Sequence, residues 1–596
     1  MKLSLRPLTG AFPILAGILS AMSYVQGQTG YTGMSDLPAS ATSYLWTALA
    51  LCFTWLFHHT FVKKRLRPTL PMVGFGLFFG VCNAFGLHLF AYDSWQMGPS
   101  SLLFLLIKAV GQSLPMMAVF AWIDHALRSG LLSHDGKLPW FKRHETLCLM
   151  GLFVLCWSPY LIAFYPGTVC WDLGEMVAQF FGQREMDTWH PVFTTWIMGS
   201  CVWLGRLVGS DNLGAMLFTA LQTLALSYAL ASAVRFMRRA GVGRIVLWIS
   251  AAFFALTPIW GGYAQFISKD TLYTSTLLLF TLSVLEYLVL GESCPAKLFV
   301  RCLLACLLRS NGLYVVLPTA LVLIPVLRKW KPAAALCAAV VGALLFSNVL
   351  IPALGIRDET ASGIYSVCFQ QSARTLRDHA DTVTPEEYAE IDLVLDAERL
   401  PDLYEPWISD PVKYTFRQYG QGREAEEAAL ARYREAWLSM FKKYPLTYIE
   451  TFFAGNLSYY TFAPKIEGET YNDQAGNRLV FETWELSHSQ GDDPRFLDTT
   501  QIAALEPVRI LLAMFARGWR HIPVLSLLYV CASYTWVCVG AALSVLRQKR
   551  WRILAGFLPA LMSLAVCMLS PVNDYFRYFL PIVSMLLPLL AASREN

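Results

Sequence analysis

The chain has 596 residues, 55% of them hydrophobic and only 15% charged, with a formal net charge of +5 and a mean hydropathy of +0.44. Soluble domains run nearer a quarter charged, so the deficit excludes an ordinary water-soluble globule and makes lipid the main solvent. The small positive balance sits in short loops, where it orients membrane spans, and implies no nucleic-acid partner.

The opening MKLSLRPLTG precedes an apolar run with no small-x-small cleavage site, which predicts an uncleaved first helix. Apolar stretches long enough to cross about 30 Å of hydrocarbon predict helices over 12–29, 43–62, 70–91 and 101–124, an N-terminal four-helix membrane segment within 1–130. A fifth helix over 145–165 ends at Phe164-Tyr165-Pro166-Gly167. Basic clusters recur at Lys63-Lys64-Arg65, Lys137 to Arg143, Arg235 to Arg244, Lys297 and Arg301, Arg328 to Lys331, and Arg547 to Arg552. The positive-inside rule assigns all of these to the cytoplasm, with two crossings between neighbours. Residues 191–208 and 213–234 both read as helices, yet two crossings there would put Arg235, Arg238 and Arg239 outside. The first is therefore expected to be re-entrant or interfacial, interrupted by Gly199 and Gly205 and closed by Arg206 and Asp211. Further spans are expected over 243–261, 271–290, 296–309, 312–328, 332–353, 521–545, 553–570 and 577–592. The total is about 14, with both termini cytoplasmic.

These elements divide the chain into the N-terminal segment, a membrane module over 145–354 with an external loop at 166–212, an acidic insertion over 355–507, and C-terminal membrane helices over 508–596. The insertion holds about two-thirds of the acidic residues and is placed outside the cell by the same rule. TPEEYAEIDLVLDAERL opens on a helix start signal, and REAEEAALARYREAWLSMFKKYP reads as a second helix stopped at Pro445. No internal repeat suggests a transporter made of two related halves. The 14 cysteines lie mostly in apolar segments without metal-ligand spacing. Only Cys170 and Cys368 fall in expected external segments, where a disulfide between them is an open expectation.

The topology gathers polar residues at the outer face. PGTVCWDLGEMVAQFFGQREMDTWHP supplies Asp172, Glu175, Asp187 and His190, with Asp172 and Glu175 on one face of a short helix. GGYAQFISKDTLY supplies Lys269 and Asp270, RSNG supplies Arg309, and SPVNDYFRYF supplies Asp574 and Arg577. Plain alternatives exist: Glu175, Asp187 and Asp574 as solvated helix ends, and Asp270 with Lys269 as a local ion pair. Arg309 lies between two apolar segments with almost no loop, so it has to be paired or bind an anion. A carboxylate that takes a proton from a hydroxyl, beside arginines that receive a leaving phosphate, is a transfer chemistry.

On these residues the chain resembles the GT-C superfamily of lipid-linked-sugar glycosyltransferases, which includes protein O-mannosyltransferases and the aminoarabinose transferases of lipid A. The acidic motif of that module corresponds to Asp172-Leu173-Gly174-Glu175, the partly inserted segment to His190-Pro191-Val192-Phe193, and the second acid to Asp270. PGTVCWD, WHPVF, SKDTL, RSNGLY, CFQQSAR, SDPVK and FRYFLP are similar to a family of bacterial multi-pass proteins near those enzymes, over roughly 145–590. The chain departs from the better-known enzymes in lacking an adjacent Asp-Glu pair and in having His190 where a Lys often stands.

The resemblance implies an all-α, GT-C-like bundle in the cell membrane that moves a sugar from a polyprenyl-phosphate donor to an envelope acceptor: a wall polymer, glycolipid or protein. Asp172 is then the general base or acceptor-orienting carboxylate, supported by Asp270 with Glu175 in the same motif, while Lys269, His190, Arg309 and Arg577 hold the donor phosphate. No obligate cofactor or metal is implied, and a divalent cation is neither required nor excluded. An O-antigen-type ligase or polymerase, and a flippase of lipid-linked glycans, are the competing classes.

Overall fold

The computed structural model describes residues 11–24, 44–130, 144–169, 171–359, 361–462, 497–519, 522, 524–570, 573 and 575–595. Among these the chain is all-α apart from two short strands. Six helices are long and apolar enough to cross a membrane: Leu70–Tyr92, Pro99–Arg128, Glu145–Ala163, Asp211–Arg239, Lys269–Leu290 and Trp330–Ala353. A seventh is added if Arg244–Leu256 and Pro258–Gln265 count as one span. The span expected over 243–261 is this pair, which bends by 44°. The cause is local: Pro258 has no N–H to continue the ladder, and Thr257 before it is extended (φ −69°, ψ 135°).

Other expected spans are shorter. Phe12–Tyr24, Pro295–Leu307, Gly312–Leu327, Cys531–Arg547, Leu558–Leu569 and Phe576–Ala592 run 12 to 17 residues. The expected span 553–570 is broken, with Trp551–Ala555 ahead of Leu558–Leu569 and Gly556-Phe557 between them. The segment expected to be interrupted at Gly199 and Gly205 is instead the continuous helix Val192–Arg206. Its glycines serve close packing: a Cβ at Gly199 would strike the Phe180 ring, and one at Gly205 would strike the backbone of Gly214. The helix thus lies tightly along Asp211–Arg239, and the turn between them is held by the Arg206–Asp211 ion pair (2.7 Å).

Lys269–Leu290 is the central helix. Buried on most of its surface, hydroxyl-bearing residues included, it packs against Asp211–Arg239, Pro295–Leu307 and Phe576–Ala592. The basic helix ends gather at one end of this bundle. Arg238 holds Glu145 (2.7 Å), Arg547 and Arg128 share Asp124 (2.9 and 3.5 Å), and Arg550 donates to the backbone of Arg594 (2.6 Å).

The acidic insertion builds a core of its own around Phe369, Ile391, Leu400, Tyr433 and Met440. Thr384 and Glu387 form the capping box of the helix Pro385–Val394, which stops short of the expected DAERL end because Leu395 is extended. Pro445 does not merely stop Arg423–Lys443; it is the first residue of the next helix, Pro445–Ala454. That helix and Leu457–Tyr460 pack on Leu70–Tyr92, so the N-terminal segment carries the insertion. Arg374, 1% exposed, seals this joint by pairing with Asp93 (3.3 Å), Asp378 (3.2 Å) and Glu450 (3.0 Å).

Candidate functional site

The site begins with two loops joined to each other. After Glu145–Ala163 the chain turns through Gly167, whose φ of +130° and whose closeness to the Gln265 carbonyl (2.8 Å from an added Cβ) admit only glycine. It then forms β1 (Thr168–Val169), which pairs in parallel with β2 (Phe266–Ile267). The Gln265 side chain accepts from Thr168 N (2.9 Å) and Oγ1 (2.7 Å). Gln222, inside an apolar helix, donates to the carbonyls of Ala264 (2.9 Å) and Phe266 (2.7 Å). These bonds satisfy backbone groups that two-residue strands leave open.

β1 leads into the short helix Trp171–Phe180 and β2 into Lys269–Leu290, so Asp172 and Lys269 emerge side by side with Nζ and Oδ2 at 2.8 Å. Lys269 Nζ also stands 3.0 Å from His190 Nδ1, and His190 Nε2 lies 3.7 Å from Glu175, which Arg184 pairs from the other side. Burial pushes the Asp172 carboxyl up, but Lys269, His190 and Arg577 outweigh it and hold the group well below the usual carboxylate range. The nearby His190 and the charge of Arg184 likewise lower Glu175 against the opposing effect of burial.

A second cluster adjoins the first. Asp270, 1% exposed, forms an ion pair with Arg309 and lies 3.9 Å from Arg577. Arg309 follows Pro295–Leu307 in a tight turn, anchored where Thr194 donates to the Leu308 carbonyl (2.8 Å). Both guanidinium groups lie near the Tyr578 ring, that of Arg309 at 4.4 Å and that of Arg577 at 5.0 Å. Its π face moderates the repulsion of two like charges held close together.

Seven of the nine residues singled out in the sequence therefore meet, in two different settings; Asp187 instead accepts from Trp189 N (3.0 Å), and Asp574 lies outside the described residues. Asp172, with 24% of its side chain exposed, is within reach of a substrate. Asp270 is enclosed by arginines, which makes it a positioning residue for Arg309 and Arg577. The acidic insertion borders the site at two places: Thr188 bonds Asp358 (2.9 Å), and Asn573 N donates to the Trp407 carbonyl (2.9 Å). Cys170 lies outside the described residues, and Cys368 is a free thiol. Among the described residues no three His, Cys, Asp or Glu side chains group to hold a metal.

Gln222, Gln265, Arg184 and Tyr578 escaped the sequence reading. The signal for the first was a lone amide in the apolar run around Leu221 and Leu224; for Tyr578 it was an aromatic next to Arg577.

No curated protein and no solved structure matches the chain. A model of a family of unknown function, DUF6020, matches residues 185–596. The matched part includes His190, Lys269, Asp270, Arg309 and Arg577 and begins after Asp172 and Glu175. It takes in well over half of the chain, which belongs to the DUF6020 family.

Proposed function

We propose that the chain is a GT-C-type membrane glycosyltransferase that moves a sugar from a polyprenyl-phosphate carrier to an acceptor hydroxyl on the outer face of the cell membrane. In this reading about 14 segments cross or enter the bilayer, both termini are cytoplasmic, and the acidic insertion covers the site from outside. The observation that carries the proposal is the reachable, ionised Asp172 held against Lys269, next to the enclosed Asp270–Arg309–Arg577 cluster.

Asp172 paired to Lys269 is too weak a base to take a proton, so its first task is to accept the hydrogen bond that orients the hydroxyl. When the donor phosphate arrives, Lys269 turns toward it and the carboxylate regains basicity. The acceptor oxygen then attacks the anomeric carbon, its proton passes to Asp172, and the sugar–phosphate C–O bond breaks with its electrons on the phosphate. Lys269, Arg309 and Arg577 balance that leaving charge in a site of low dielectric. A flippase is less well supported, because these charges lie at one end of their helices and not along a path through the bundle.

The test compares lipid-linked sugars and envelope glycans in cells carrying wild type, Asp172→Asn or no gene. The expected result is one accumulated polyprenyl-phosphate sugar, and one glycan lost, in both the deletion and the variant. Full complementation by Asp172→Asn would favour the O-antigen-type ligase class, which relies on Arg and His.

A further inference from the structure

At the other end of the central helix lies a cavity of about 220 Å³ between Asp211–Arg239, Lys269–Leu290, Pro295–Leu307 and Gly312–Leu327. Glu286 and Tyr287, which line it, are 16 residues from Asp270, about 24 Å along the helix, so it is separate from the site above. Four basic side chains reach it from two helices: Arg235, Arg239, Lys297 and Arg301. A fifth cation, Lys329, rests over the Tyr287 ring at 5.6 Å.

The two acids present are both taken up by one partner. Arg239 pairs with Glu292 and stands 3.9 Å from Glu286. Among the described residues, no carboxylate is within salt-bridge distance of Arg235, Lys297 or Arg301. Arg301 donates instead to Ser283 Oγ (2.7 Å) and the Leu279 carbonyl (3.2 Å), which fixes its guanidinium in the cavity wall. Such an uncompensated basic recess between apolar helices calls for an anion.

The surface leading to the cavity tells which kind. Leu221, Leu224 and Tyr228 are exposed at 41%, 55% and 38%, and they lie on the same face of Asp211–Arg239 as Ser232 and Arg235. That stripe runs about 10 Å along exposed apolar side chains directly to the basic rim. A free phosphate would use only the rim; an amphiphile uses both.

We propose that this cavity binds the phosphate headgroup of an anionic lipid, with an acyl chain along Leu221, Leu224 and Tyr228. The site is independent of the transferase reading and stands or falls separately from it.

The full-length protein in nanodiscs or neutral detergent would be titrated with phosphatidylglycerol, with phosphatidylcholine and with inorganic phosphate, reading bound lipid by native mass spectrometry and stability by thermal unfolding. Phosphatidylglycerol is expected to be retained and to raise the Tm, while the other two do neither. The exposed Arg235 and Lys297 can be changed without opening the core, so Arg235→Gln/Lys297→Gln should fold with the Tm of lipid-free wild type. At roughly fivefold for each basic residue near the headgroup, the double variant should bind about 25-fold more weakly. Equal retention of phosphatidylcholine, or unchanged binding in the double variant, would overturn the proposal. Equal stabilisation by inorganic phosphate would do the same, since the anion would then need no lipid.

Discussion

The Arg374 joint and the Arg309–Arg577 cluster both bury guanidinium groups among carboxylates, but the balance of charge differs. At the joint, Arg374 and Arg377 face Asp93, Asp378 and Glu450. Glu450 is completed by the backbone N–H of Trp95 (2.5 Å) and the hydroxyl of Ser94 (3.2 Å). At the site, three carboxylates (Asp172, Glu175 and Asp270) face four cations (Lys269, Arg184, Arg309 and Arg577). The joint is complete without a ligand and holds two parts of the chain together. The site has a cation in excess and two carboxylates, Asp172 and Glu175, open to solvent, an arrangement that an anionic substrate completes.

Asp172→Asn should lower turnover by about 10²–10⁴-fold, the range for losing a positioned acid–base group, with the Tm close to wild type. Unfolding of the variant would show instead that the site is structural. Arg374→Met should do the reverse: it leaves Glu450 buried without its cation, at about 3–5 kcal/mol of stability. Chemical denaturation would measure that loss, and the protein that remains folded should turn over as wild type does. Arg309→Lys keeps the charge but loses the planar fork, so donor affinity should fall by about tenfold, a loss of about 1.4 kcal/mol, in an equilibrium binding assay. Full affinity in that variant would reduce Arg309 to a simple charge.

The smallest effect concerns pH. Burial raises the Asp378 carboxyl, but bonding to Arg377 and the nearby Arg374 lower it overall. A carboxyl depressed on folding contributes stability above its unfolded pKa of about 3.9 and loses it as pH falls through the folded value. The Tm difference between wild type and Asp378→Asn should therefore stay level from pH 7 to about 5 and close only in stronger acid. A difference that widens in acid would reverse the assigned sign.

Helix ends were the legible part of this molecule. Asp172, Lys269, Asp270, Arg309 and Arg577 each interrupt an apolar run, and a charge there must find a partner, so their meeting followed from topology. What stayed hidden depended on packing between distant segments. Gly199 and Gly205 resembled breaks because nothing in the sequence announces that Phe180 and Gly214 press on them. CFQQSAR stood out as a motif without a role. In the fold, Gln370 donates to the carbonyls of Glu405 and Ile408, Gln371 to that of Tyr448, and Arg374 seals the joint. Gln222 carries no local signal, because its partners lie more than 40 positions away.

The pairing of β1 with β2 acts as a mechanical linkage. Thr168 and Val169 are locked to Phe266 and Ile267 only two or three positions before Asp172 and Lys269, so neither side chain's backbone can travel without the other. Access to Asp172 therefore cannot come from parting these two loops. The opposite wall, the segment from Arg184 to Pro191, is tethered outward through Thr188 to Asp358 of the acidic insertion. The two sides of the site are thus anchored differently: Asp172 and Lys269 to each other's backbone, and the His190 side to the acidic insertion.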